Sequence, residues 1–192
     1  VGADADQGAY PGSGYLFKWE GSSWIEAAKL SGDDSANDDA FGYAVSLSGD
    51  WAMLGAHLDD DQGSNSGSAY MFHRVDSTWT QLAKLVPSDG ATDSHFGGAL
   101  SIDGDYALIG AWGDTELGEW AGAAYIFHWD GNAWMETAKL LADDGIGFSY
   151  FGGAFSLDGD YALVGAYVFH RVGSAWSQVA KLSANDAAPG DG

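Results

Sequence analysis

Two tryptophans, Trp112 and Trp120, bracket three acids, Asp114, Glu116 and Glu119, within one short stretch. That grouping can do binding chemistry: an indole face stacks on the apolar face of a sugar while carboxylates accept its hydroxyl hydrogens. The same rings can equally serve to cover a neighbouring element or an interface. A second acidic run, Asp59-Asp60-Asp61 with Asn65 and Ser66 close behind, offers oxygen ligands for calcium, and Asp4, Asp6 and Gln7 hold the analogous place near the start. A solvated acidic loop accounts for those residues without a metal. Neither run has the sixth-place glycine and twelfth-place glutamate of an EF-hand.

Signals for catalysis are thin. The chain has no cysteine nucleophile, Gly-x-Ser-x-Gly elbow, phosphate loop or His-Glu-x-x-His. His73, His128 and His170 occupy one recurring position, which marks them as scaffold. Carboxylates are so many that any two could be drawn as a glycosidase pair, so the pairing carries little weight.

The elements that must position these residues announce themselves by repetition. Phe41 opens FGYAVSLSGDWAMLGA, Phe96 opens FGGALSIDGDYALIGA and Phe151 opens FGGAFSLDGDYALVGA, each 55 residues after the last, and Val1-Gly2-Ala3 matches the end of a further copy. A fixed period of this size means one supersecondary unit stacked on its copies. Within a unit, Phe151 to Leu157 alternates large and small residues, Asp158-Gly159 reads as a two-residue hairpin, and Tyr161 to Ala166 alternates again. A third strand follows at Gly14–Trp19, Ala69–Arg74, Ala124–Trp129 and Tyr167–Arg171, and a fourth begins at Trp24, Trp79, Trp134 and Trp176. These tryptophans read as packing residues, and the recurring Lys29, Lys84, Lys139 and Lys181 as strand-face or ion-pair residues. The expectation is an all-β propeller of four-stranded antiparallel blades, without helix. The chain forms a single propeller domain or propeller fragment over 1–192, in units of about 1–40, 41–95, 96–150 and 151–192. The alternation places bulk on one face of each sheet and small residues on the other.

Two connections per unit are long, and alternate connections of an up-and-down sheet emerge on one side. The long-loop side therefore gathers most of the acids, and function belongs there. One connection breaks the pattern. Fifteen positions separate Gly110 from Tyr125 but two separate Gly165 from Tyr167, a loss of 13 residues. The first unit lacks an inner strand, which either another copy or missing residues would supply; an unpaired edge invites self-association.

Composition narrows the partners. Twenty-eight Asp and Glu against seven Lys and Arg give a net charge of −21. Such a field repels nucleic acid and anionic lipid, and suits cations, cationic partners or salty surroundings. No apolar run reaches the roughly 18 residues of a membrane-spanning helix, so no membrane insertion is expected. The chain starts inside a repeat motif and has no signal region, which reads as a processed product or a fragment.

Phe-Gly, Gly-Ala about 14 residues later, and Gly-x-Ala-Tyr-x-Phe after a loop together resemble the FG-GAP repeats of integrin α-chain propellers and their bacterial relatives, over essentially the whole chain. The resemblance implies an extracellular or cell-surface propeller that binds without catalysis, with a glycan or a cell-surface or matrix protein as partner. Two departures stand out. The Asp-x-Asp-x-Asp-Gly-x-x-Asp calcium loop between the first two strands is replaced by Ser48-Gly49-Asp50, Asp103-Gly104-Asp105 and Asp158-Gly159-Asp160, too short to wrap calcium, and the proline after Gly-Ala gives way to His57, Trp112 and Tyr167. The reading is thus a non-catalytic binding or adhesion module. A self-assembling ring or filament subunit is the first alternative, and a polysaccharide-acting enzyme the second.

Overall fold

A computed structural model describes residues 1–3, 11–183 and 185. Its elements are fifteen strands in four antiparallel sheets, with no helix among the described residues. The first sheet has three strands, β1 (Gly2–Ala3), β2 (Ser13–Trp19) and β3 (Trp24–Leu30). The second runs β4 (Val45–Ser48), β5 (Trp51–Ala56), β6 (Ser68–Val75), β7 (Thr78–Leu85). The third runs β8 (Phe96–Asp103), β9 (Tyr106–Ala111), β10 (Ala123–Trp129), β11 (Trp134–Leu140). The fourth runs β12 (Phe155–Asp158), β13 (Tyr161–Val164), β14 (Tyr167–Val172), β15 (Ala175–Lys181). Strands follow chain order across each sheet, so every unit is a simple meander. The sheets form an open propeller-like series.

The tight turns fall one residue later than the Asp-Gly reading. Ser48 pairs with Trp51, Asp103 with Tyr106 and Asp158 with Tyr161, leaving Gly-Asp as the two loop residues. Gly49, Gly104 and Gly159 have φ of 57°, 55° and 55°, and the aspartate after each is not left-handed. Positive φ at the first loop position alone is the type II′ pattern, which glycine there permits. Two of the first strands also start later than expected. Phe41 and Phe151 make only isolated bridges, to Gly12 and Gly122, ahead of β4 and β12, whereas β8 starts at Phe96; the glycine after each phenylalanine is left-handed in all three copies, at φ 90°, 87° and 88°.

The Phe-Gly and Gly-Ala signatures meet where sheets touch. A Cβ on Gly55 would stand 2.0 Å from the Gly97 carbonyl oxygen of the next sheet, and one on Gly110 would stand 1.9 Å from that of Gly152. Backbone lies on backbone there, and any side chain would hold the sheets apart. Beside this contact, Ser46 Oγ accepts from Ile102 N at 3.1 Å and Ser101 Oγ accepts from Leu157 N at 3.0 Å. The first strands β4, β8 and β12 are thereby tied in series.

Apolar cores fill the spaces between sheets. Trp51, Met53, Met71 and Leu85 of the second sheet meet Phe96, Ile109, Tyr125, Phe127 and Trp134 of the third. Leu108, Ile126 and Leu140 meet Phe151, Leu157, Val164 and Phe169 in the same way. Bulk on one face only is not what the structure shows. Trp51 and Met53 point forward while Ala52 and Leu54 point back, so each middle strand fills two cores. In β13 this leaves Tyr161 and Leu163, on the last forward face, 54% and 39% exposed. The four recurring tryptophans of the fourth strands differ: Trp134 is buried and meets Trp51 at 5.2 Å, edge to face, Trp79 and Trp176 are half-buried, and Trp24, expected to pack, is 66% exposed because no complete sheet precedes it.

Candidate binding site on the loop side

The two long loops of a unit run side by side, joined through their backbones. Asp93 N donates to Ser64 O at 2.7 Å and His95 N to Asn65 O at 3.0 Å; one unit on, Phe148 N donates to Glu119 O at 2.6 Å and Tyr150 N to Trp120 O at 3.0 Å. Both loops therefore stand on one side, over the sheet ends.

Much of the acid there is spent on a recurring lysine clamp. Lys84 on β7 reaches Asp34 at 3.0 Å, Asp59 at 2.8 Å and Asp61 at 2.6 Å. Asp34 comes from the end loop of the preceding unit, so the clamp joins two units. The Tyr70 hydroxyl on β6 lies 2.9 Å from Asp34 Oδ1 and 3.3 Å from Asp59 Oδ2. Ser68 Oγ and Asp61 N donate to the remaining lone pairs of Asp59. One unit later, Lys139 holds Asp89 at 2.6 Å, Asp114 at 2.8 Å and Glu116 at 2.8 Å, with the Tyr125 hydroxyl 2.7 Å from Asp89. In the last unit, among the described residues, Lys181 has one carboxylate, Asp144 at 2.6 Å, which also accepts from the Tyr167 hydroxyl at 2.8 Å.

The titrations follow from this geometry. Burial works against the charge of Lys84 and Lys139, yet hydrogen bonds from their ammonium groups to the carboxylates outweigh it and hold both well above the usual lysine range. Burial likewise opposes ionisation of Asp34 and Asp89, and the bonds from lysine and tyrosine override it, so both carboxyls sit below their usual range. At the exposed end, the bond to Asp144 lifts Lys181 to about 12.

The candidate calcium ligands fall into this clamp. Asp59 is buried and turned onto Lys84, Asp61 shares that ammonium, and Asp60 accepts from Asn65 N at 2.7 Å. Strand β7 supplies the cation for this loop, and calcium at these oxygens has to displace Lys84. Among the described residues no group of three acidic or histidine side chains is placed to hold a metal ion. Asp4 and Asp6 lie outside the described residues.

Trp112 and Trp120 come together, as their shared loop suggested, but inside a longer row of rings. Tyr43 lies 4.0 Å from His57, His57 5.7 Å from His95, and His95 4.0 Å from Trp112 at an interplanar angle of 5°. Trp112 stacks on Trp120 at 5.3 Å, and Tyr150 lies 6.2 Å from each tryptophan. The row crosses from the second sheet to the edge of the fourth. Partner sizes match along it: Gly98, where a Cβ would come 2.6 Å from Trp112 Nε1, stands where Tyr43 stands beside the smaller His57. His95 is 7% exposed, and burial pushes its imidazole below the usual range against an opposing bond to the His57 backbone. Both tryptophans are half-buried in this stack, while Tyr43 and Tyr150 at its two ends are 53% and 50% exposed.

The acids between the tryptophans divide. Asp114 is buried in the clamp and Glu116 is exposed but bound to Lys139, while Glu119 is exposed on the loop. Sequence reasoning missed His57, His95, Tyr43 and Tyr150 as partners of the tryptophans. The available signal was that residues 40, 95 and 150 and residues 57 and 112 are repeat positions whose identities vary toward aromatic rings.

A family model described as FG-GAP repeat matches residues 24–72, 79–127 and 134–175, well over half of the chain. A comparison with curated proteins found no match.

Proposed function

We propose that this chain, which belongs to the FG-GAP repeat family, acts as a non-catalytic binding module that takes a carbohydrate on its loop side, outside the cell or at its surface. Proteins built from these repeats typically form binding modules of β-propeller type and are typically not enzymes. No helix among the described residues is long and apolar enough to cross a membrane. The observation that carries the reading is the aromatic row from Tyr43 to Tyr150, with an exposed tyrosine at each end. Half-exposed tyrosine rings on the side that also carries exposed carboxylates such as Glu119 offer stacking and hydroxyl recognition together. The half-buried tryptophans support the platform from below. Glycan-array binding tests it: Tyr150→Ala should lose signal while melting near the parent temperature, and Trp120→Ala should lose signal with some loss of stability, since its ring is half-buried in the stack. Undiminished binding by both variants, or an array with no hits, defeats the reading.

A cell-surface or matrix protein is the other partner class for this side. A second reading, self-assembly, rests on a separate observation. Tyr15, Leu16, Phe17 and Trp24 of the first sheet and Val45, Leu47 and Leu54 of the second line an apolar groove of ≈ 440 Å³. Among the described residues β1 pairs only with Ser13 and Gly14, and the inner edge of β2 from Leu16 onward has no strand beside it. Open edges and apolar grooves join copies. Sedimentation of a monomer at high protein concentration removes that reading.

A further inference from the structure

The shortened connection between β13 and β14 leaves a complete receiving surface without the loop that covers it in the other units. In the third sheet's unit that loop makes two contacts on the unit before it and one within its own unit. Trp112 lies flat on His95, Gly113 N donates to Ser94 O at 3.1 Å, and Asp114 enters the clamp of Lys139 and Tyr125. The second sheet's unit repeats the latter two: Leu58 N donates to Asp39 O at 3.2 Å, and Asp59 enters the clamp of Lys84 and Tyr70.

Every receiving group recurs at the fourth sheet. Tyr150 stands at the place of His95, Ser149 at the place of Asp39 and Ser94, and Asp144, Tyr167 and Lys181 form the clamp. The loop that would bring the second carboxylate is absent, since Gly165 and Ala166 are the whole connection. The Lys181 side chain is 51% exposed, against 17% for Lys139, and among the described residues it meets one carboxylate where Lys84 and Lys139 each meet three. A second feature points the same way. At Ile146 and Phe148, where the earlier end loops have Ala36 and Asp38 or Ala91 and Asp93, the surface turns apolar, and these side chains are 70% and 60% exposed. A half-exposed cation whose partner Asp144 sits on the same end loop as these exposed apolar side chains suits burial by a partner.

We propose that this surface docks an extended segment of a partner protein that carries an aromatic residue and, two positions on, an aspartate. The ring stacks on Tyr150, the intervening N–H donates to the Ser149 carbonyl, and the carboxylate accepts from Lys181 Nζ and Tyr167 Oη. Ile146 and Phe148 flank the segment. The chemistry is copied from Trp112-Gly113-Asp114, which meets the same set of groups one unit earlier. A small free carboxylate fits less well, because the net charge of −21 repels it and it has neither the ring nor the N–H that the surface addresses. The site goes beyond the glycan platform; it shares Tyr150 with it but not Lys181.

The test is a fluorescein-labelled peptide with the sequence of residues 111–122, Ala-Trp-Gly-Asp-Thr-Glu-Leu-Gly-Glu-Trp-Ala-Gly, titrated into the intact chain in enough salt to screen the overall repulsion. Anisotropy should show saturable one-to-one binding. Asp114→Asn within the peptide, and separately Lys181→Met in the chain, should each weaken it about tenfold or more, the loss expected for a charge-assisted bond. Lys181→Met should leave glycan-array signal and melting nearly unchanged, so failure of this site is separable from failure of the glycan platform. No saturation at millimolar peptide, equal binding by Lys181→Met, or saturation by glucuronate with the peptide inert would each overturn the proposal.

Discussion

Methionine in place of Lys139 removes the ammonium that three carboxylates share while keeping most of the stem's volume. The loss is set by what stays behind. Asp114, its side chain 9% exposed, keeps the Tyr125 hydroxyl and the Glu116 N–H but loses its counter-ion. Removing one partner of a buried pair costs about 3–5 kcal/mol. The outer partners Asp89 and Glu116, 47% and 52% exposed, add little, since exposed pairs contribute about 0–1 kcal/mol each. A loss of ~3 kcal/mol is therefore expected for Lys139→Met. At Lys181 the same substitution breaks one pair between side chains 51% and 57% exposed, so less than about 1 kcal/mol is expected. In a chain of this size each kcal/mol shifts Tm by roughly 2–4 °C, giving about 6–12 °C for Lys139→Met and under about 4 °C for Lys181→Met. Urea unfolding followed by tryptophan fluorescence, with calorimetry alongside, measures both. Adding Asp114→Asn to Lys139→Met should return part of the loss, because a neutral amide is cheaper to bury unpaired. Equal losses at the two lysines, or less than about 1 kcal/mol at Lys139, would refute the argument that burial of the partner carboxylate sets the energy.

Gly55→Ala should lower Tm far more than Gly49→Ala, because the new Cβ meets the Gly97 carbonyl at 2.0 Å whereas Gly49 has nothing within 4 Å and pays only for its left-handed φ, about 1–2 kcal/mol; similar melting of the two variants would remove the role given to that backbone contact. Burial depresses the His95 pKa, so the unfolded chain takes up the imidazole proton first as pH falls, and stability should drop as the pH falls through about 6.5; His95→Phe should flatten that part of a Tm-against-pH curve. Asp34, Asp89 and Asp144 titrate below their usual range, so the stability they contribute is present above about pH 4 and should be lost below it, visible as acid unfolding. Calcium should raise the Tm of Lys84→Met more than that of the parent chain, since the parent has an ammonium among the oxygens of Asp59 and Asp61; the reverse order would show that the metal binds elsewhere.

The fold was legible because repetition states it several times. Phe-Gly and Gly-Ala mark the two places where backbones of successive sheets touch, and no other residue fits there, so the spacing carries the architecture. Burial of both sheet faces was legible from the stacking of repeats, but which face each strand side chain takes was less so: Ala52 and Ala107 read as one smooth face, yet they face the core opposite to Trp51 and Tyr106, beside large neighbours such as Leu54 and Ile109. The turn position was misread by one residue because Asp-Gly and Gly-Asp both occur in Asp103-Gly104-Asp105, and only the strand register separates them. In the site, the nearness of Trp112 and Trp120 was visible from one loop. Their stacking on His95 and Tyr150 was not, since these come from two other loops, one 17 residues before Trp112 and one 30 residues after Trp120, that only the sheet meander brings alongside. The lysines were legible as repeated, and even as ion-pair residues, but their acid partners come from two loops in two units. Asp34 lies 50 residues from Lys84, beyond any local pattern.

The clamp also says where the natural piece of this chain begins. A piece cut at the Phe-Gly signature, 41 to 95, carries Lys84, Tyr70, Asp59 and Asp61 but leaves Asp34 behind, and it ends on an Asp89 whose lysine is gone. Shifting the cut back by ten residues, to 31 to 85, gathers Asp34, Asp59, Asp61, Tyr70 and Lys84 in one segment of the same length. Anyone transplanting, deleting or duplicating a blade should therefore exchange it between the end of one fourth strand and the end of the next. The eye is drawn to the glycines, but the charges set the frame in which the units are interchangeable.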